Sequence, residues 1–133
     1  MNTPYPPPSI EMDRILVVDD IPDNTFFLQT LLESEGYQVD VVDSGPAALE
    51  KIAAEPPDLV LLDVMMPDMN GYEVTQQIRA NPNLPFIPIV LVTGHDQPTA
   101  ADGFNVGADG FIRKPVDITQ LLNQVRAILP PSS

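Results

Sequence analysis

Five side chains stand where their types could do chemistry together. Asp19 and Asp20 close the run "ILVVDD", Asp63 closes "LVLLD", Thr93 closes "IVLVT", and Lys114 follows "GFIR". Each follows a short apolar stretch, so each sits at the end of a segment destined for the core. Three carboxylates in one place repel one another and need a positive partner. Hard oxygen ligands of this kind suit Mg²⁺, which takes one or two carboxylates, keeps several waters and leaves room for phosphate oxygens. A lysine and a hydroxyl supply the point charge and the hydrogen-bond donor that a phosphoryl group needs. An Asp carboxylate can itself be the nucleophile and become an aspartyl phosphate. The set therefore points to phosphoryl transfer onto a carboxylate, provided that the chain brings all five groups to one edge.

The elements needed for that are legible. Apolar runs at 15–19, 37–42, 58–63, 86–93 and 109–114 predict strands. They alternate with predicted helices at 23–36, 45–54, 71–80, 97–107 and 117–129. In the first helix Phe27, Leu28, Leu31 and Leu32 share a face, Asp23 is the expected cap and Gly36 the expected stop. The fourth is weak: Gly103 costs about 1 kcal/mol against Ala, and Asp102 is a poor interior residue. The fifth has the clearest apolar face, through Ile118, Leu121, Leu122, Val125, Ile128 and Leu129. Strands apolar on both faces belong to a parallel sheet covered by helices on each side. Right-handed crossovers make that sheet doubly wound, with its ligand crevice beyond the carboxyl ends of the strands. Asp58, at the start of the third strand, reads as a solvated edge residue.

Composition narrows the rest. The chain has 133 residues, enough for one domain, and 19 acidic residues against 6 basic ones. Nucleic acid and anionic membrane surfaces call for clustered Lys and Arg, so neither is an expected partner. No apolar run approaches the roughly 20 residues that span a bilayer, and the N-terminus lacks the pattern of a signal peptide. Cysteine is absent, which excludes thiolate metal sites and suits a cytoplasmic protein. Prolines crowd "TPYPPPS" and "PPSS". Residues 1–12 therefore read as a Pro-rich flexible tail, 13–129 as the domain and 130–133 as a second tail.

Five segments together resemble the receiver domain of two-component response regulators. They are "VVDD" (17–20), "LLDVMMPDMNGYE" (61–73), "VLVTG" (90–94), "GADGFIRKP" (107–115) and the final amphipathic helix, and the resemblance covers about residues 13–129. It implies a flavodoxin-like five-stranded sheet of order 2-1-3-4-5. Helices one and five would cover one face, and two, three and four the other. It makes Asp63 the phosphoryl acceptor, with Mg²⁺ held by Asp19, Asp20, Asp63 and the backbone carbonyl of Met65. Lys114 becomes the phosphate-binding lysine and Thr93 the hydroxyl switch. Phe111 becomes the aromatic switch, without the hydroxyl of the commoner Tyr, so that switching works through packing. The Lys–Pro peptide of this family is commonly cis, which makes Lys114–Pro115 a candidate cis bond.

The implied donor is a histidine kinase or a histidine phosphotransfer protein. The implied output passes from the fourth helix, fifth strand and fifth helix to a downstream effector. A phosphorylation-dependent homodimer is a further expectation. The domain would assist its own modification without being an enzyme with an external substrate. Two other classes share parts of the pattern. A flavin-binding electron carrier has the same fold, but two Asp after strand one would repel its phosphate. A Mg²⁺-dependent aspartyl-phosphate phosphatase uses the same nucleophile and would turn over small phosphate esters. His95, the single histidine, reads as an exposed loop residue near Thr93. Gly71 reads as allowing a tight loop ahead of helix three.

Overall fold

Residues alternate in direction along a strand, so a strand apolar at every position needs cover on both sides. The computed structural model, which describes residues 13–94 and 105–130, supplies both covers. Its strands are β1 (Arg14–Val18), β2 (Gln38–Val42), β3 (Leu59–Asp63), β4 (Ile89–Thr93) and β5 (Gly110–Arg113). The described helices are α1 (Pro22–Ser34), α2 (Gly45–Ala54), α3 (Gly71–Ala80) and α4 (Ile118–Ile128). The strands form one parallel sheet in the order β2-β1-β3-β4-β5. Ile15, Val17, Leu59, Leu61, Val90 and Val92 pack toward α1 and α4. Their neighbours Leu16, Val18, Val60, Leu62, Ile89 and Leu91 pack toward α2 and α3.

The expected doubly wound sheet and its strand order are present. The helix expected at 97–107 lies outside the described residues as far as residue 104, as does His95, so four helices are described where five were expected. Both expected tails, apart from Pro130, also lie outside them. Among the described residues, no helix is long and apolar enough to cross a membrane.

Four local expectations need correction. The strand expected at 86–93 begins at Ile89. Pro88 has no N–H to give a ladder, although its carbonyl accepts from Val60 N at 3.0 Å. Phe86, ahead of it, is 72% exposed beneath the Arg79 guanidinium. In α1, Asp23 is not the cap. The helix starts at Pro22, whose missing N–H costs nothing at the first position, and Ile21 precedes it without a side-chain cap. Phe27 is not in the core either: Leu28 and Leu32 are buried with Thr25, whereas Phe27 is 41% exposed. Thr25 is tolerated because its hydroxyl donates to the Pro22 carbonyl at 2.9 Å.

Gly36 does end α1's descent: its φ of 96° is a conformation that side chains disfavour. Asp58 is more than a solvated edge. Its carboxylate accepts the Arg14 backbone N–H at 2.7 Å and ties the entry of β3 to β1.

Candidate functional site

The sheet register assembles the site. Pairing of Val18 with Leu62 brings Asp19 beside Asp63. Pairing of Asp63 with Val92 sets Thr93 one step further along β4. Pairing of Thr93 with Arg113 makes Lys114 the next residue out, and its backbone N–H donates to the Thr93 carbonyl at 2.6 Å. All five predicted groups therefore meet at the carboxyl edge.

Asp19, Asp20 and Asp63 present carboxylate oxygens within 4.8 Å of one another. Asp19 and Asp63 are each 3% exposed; Asp20 lies nearer solvent. Lys114 Nζ is 3.2 Å from Asp63 Oδ1 and 3.4 Å from Asp19 Oδ2. One ammonium thus serves two buried carboxylates, with the carboxylate of Asp20 close to both. Burial, and then the Asp19 charge, push the Asp63 carboxyl from 3.8 up to about 6, against the pull of Lys114 and of a hydrogen bond from the Met65 backbone. Near pH 7 the carboxylate still dominates, by roughly ten to one. Negative charge in excess of its counter-charge, carried on hard oxygens that are mostly shielded from water, fits a divalent cation such as Mg²⁺.

The surrounding residues fall as follows. Thr93 is fully buried at the end of β4, with its hydroxyl 3.5 Å from the Gly94 carbonyl. Phe111 is half-buried against the α2–α3 side of the core, with the Arg113 guanidinium 5.6 Å from its ring centre. Met65 is 58% exposed on the loop after β3. The Lys114–Pro115 peptide is cis. Gly71 is needed for closeness rather than for a turn. A Cβ there would lie 2.6 Å from the Asp63 carbonyl oxygen, so only glycine lets α3 start directly against β3.

Two features escaped the sequence reading. "NGYE" is a capping box in which Asn70 and Glu73 satisfy each other's backbone N–H at 2.9 Å; its Asn-x-x-Glu spacing was the available signal. Asn24 donates its Nδ2 to Asp19 Oδ2 at 3.1 Å. Nothing in its type or spacing announces that, because the contact depends on how α1 leaves β1.

The profile of the response regulator receiver domain matches residues 15–126. Response regulator PleD of Caulobacter vibrioides is 41% identical over 86% of this chain, which spans 26% of PleD. Protein PilH of Pseudomonas aeruginosa is 38% identical over 89% of this chain and 98% of its own length. The chain thus spans only about a quarter of the first curated relatives it matches, at 26% of each. Among solved structures, the signal receiver domain of a signal transduction histidine kinase from Syntrophus aciditrophicus superimposes with a TM-score of 0.81. It is 33% identical, and the match covers 91% of this chain and 96% of that one.

Proposed function

This chain belongs to the response regulator receiver family, and from that membership we propose that a histidine kinase or a histidine phosphotransfer protein donates a phosphoryl group to Asp63. The observation that carries the reading is the bridge made by Lys114. Its single ammonium lies between the two buried carboxylates, Asp63 and Asp19, where a phosphoryl group on Asp63 would meet it. Asp19, Asp20, Asp63 and the Met65 carbonyl are the groups proposed to hold Mg²⁺. Bound there, the ion supplies charge neutralisation and orients phosphate oxygens.

The residues divide the work. An Asp63 carboxylate oxygen attacks phosphorus; the bond from phosphorus to the donor's imidazole nitrogen breaks, and that nitrogen leaves with the electron pair. Lys114 turns from Asp19 toward the new phosphate oxygens. Thr93 donates its hydroxyl to another. That movement empties space behind Thr93, and Phe111 repacks into it, changing the face built on β5 and α4. Phe111 has no hydroxyl, so the change is read as packing. An unidentified effector, or a second phosphorylated copy, is the proposed reader. The domain is modified stoichiometrically, in the cytoplasm where ATP-dependent kinases work, and is not an enzyme acting on an external substrate. The charges of Asp19 and Asp20 at the end of β1 work against the flavin-carrier alternative.

A small acyl phosphate with Mg²⁺ should add one phosphoryl group per chain, seen as a mass increase. Asp63→Asn should abolish it. An undiminished adduct on that variant would remove Asp63 from the role.

A further inference from the structure

The turn from β1 into α1 holds a contact that the chemistry above does not use. Asn24, in the first turn of α1, reaches back and donates its Nδ2 to Asp19 Oδ2 at 3.1 Å. The backbone N–H of Ile21 donates to the other oxygen, Oδ1, at 2.9 Å. Both oxygens of a carboxylate that is 3% exposed are therefore held. The third donor, Lys114, is 3.4 Å from Oδ2 and is shared with Asp63.

These donors differ in what they can do during the reaction. The Ile21 N–H is backbone and fixes one oxygen only. Lys114 is withdrawn as soon as a phosphate on Asp63 competes for it. Asn24 stays, because Pro22 and the Thr25 hydroxyl bond lock the first turn of α1 beneath it. It is also neutral. It can orient Asp19 without cancelling the negative charge that a cation requires, which a lysine or arginine at this place would do. Asn24 shares with Asp19 and Lys114 the wall of a cavity of about 230 Å³ that is otherwise lined by apolar side chains such as Phe27, Leu28 and Val92.

We propose that Asn24 is the positioning residue for Asp19, setting the divalent-cation affinity of the site and preserving it when Lys114 moves to the phosphate. This rests on the receiver reading above. Residues that orient metal-binding side chains commonly change metal affinity by about 10–100-fold when removed.

The test compares wild type with Asn24→Leu, which keeps the branched shape and loses the donor. Mg²⁺ affinity is measured by titration calorimetry, and the rate of modification by an acyl phosphate is followed against Mg²⁺ concentration. Both the dissociation constant and the half-saturating Mg²⁺ should rise by about 10–100-fold, while the rate at saturating Mg²⁺ changes little. A merely structural role would lower the saturated rate as well. Asn24→Ala, which leaves room for a water donor, should lose less and serves if the Leu variant does not fold. Unchanged Mg²⁺ affinity in Asn24→Leu, or a lost saturated rate with unchanged affinity, overturns the positioning role alone. A wild type that takes no Mg²⁺ overturns the metal site itself, and the role of Asn24 with it.

Discussion

Both edges of the sheet carry acids, and they treat them in opposite ways. At the edge where strands begin, the Arg14 guanidinium reaches Asp40 at 3.4 Å and the carbonyls of Glu55 and Pro56 at 3.2 and 3.3 Å. Lys51 joins it, 3.4 Å from Glu55 and 3.9 Å from Asp40. Those side chains are 31% exposed for Asp40 and 58% for Glu55, so water screens what the cations do not. At the edge where strands end, Asp19 and Asp63 have side chains only 4% exposed and share one lysine. Acidic residues alone mark neither edge as functional. What distinguishes the second is that it withholds both water and counter-charge, leaving a deficit for a cation and a phosphoryl group to fill.

The largest effect should come from relieving that deficit. Asp63 holds its proton more tightly in the folded chain, at about 6, than the ordinary 3.8 expected when unfolded. Its contribution to stability is therefore complete below about pH 4 and is lost as pH rises through about 6. Metal-free Asp63→Asn should exceed wild type by on the order of 2–3 kcal/mol near pH 7. The gap should close by about pH 4. Urea unfolding at the two pH values checks it, and a gap independent of pH would mean that Asp63 is not the strained group. Next comes filling the deficit with metal. Mg²⁺ at roughly 100 times its dissociation constant should add about 2.7 kcal/mol, on the order of 5–15 °C in melting temperature. Na⁺ at equal ionic strength should not. The Mg²⁺ gain should shrink in Asp63→Asn; equal gains in both proteins would place the ion elsewhere.

The same contrast explains what the sequence could disclose. Strands β1, β3 and β4 are apolar at nearly every position, so their place in a buried parallel sheet needed no tertiary information. Asp19, Asp63 and Thr93 stand at the ends of such runs and Lys114 follows β5, and one sheet direction suffices to collect them. The misjudged residues depend on neighbours. Phe27 is apolar, but a helix on a narrow sheet buries a narrower stripe than its composition offers, and Thr25 was hidden because its hydroxyl is satisfied locally. Asp58 looked solvated because its partner is a backbone N–H from another strand, which has no signature. Asn24 was invisible for the same reason, since it acts through a turn whose geometry Pro22 sets.

At the balanced edge, changes should cost less. Arg14→Met keeps the backbone bond to Asp58 but removes the guanidinium from the Glu55 and Pro56 carbonyls and from Asp40. The expected loss is about 1–2 kcal/mol, because the carbonyls lie open enough for water to replace the donor in part. The loss should hardly vary between about pH 5 and pH 8. A loss as strongly pH-dependent as the Asp63 effect would show that this edge is under strain too.

The smallest effect should come from Arg126 and Glu35, which join the ends of α4 and α1 at this same edge. Their side chains are 44% and 30% exposed, so water competes for both and salt screens the pair. A stronger tie lies beside them. The Tyr37 hydroxyl donates to the Leu129 carbonyl at 2.8 Å in a buried bond that already fixes the end of α4 against the start of β2. Arg126→Ala should therefore cost about 0.2–1 kcal/mol, and the Arg126–Glu35 coupling from a double-mutant cycle should fade in about 0.5 M salt. Tyr37→Phe should cost more, about 1–3 kcal/mol, and should not respond to salt, because it strands a buried carbonyl. Thermal or urea unfolding of Arg126→Ala, Glu35→Ala, their double variant and Tyr37→Phe at two salt concentrations decides between them. If the ion pair proved the stronger and survived salt, exposure would not be what separates the two edges, and the deficit around Asp63 would need another cause.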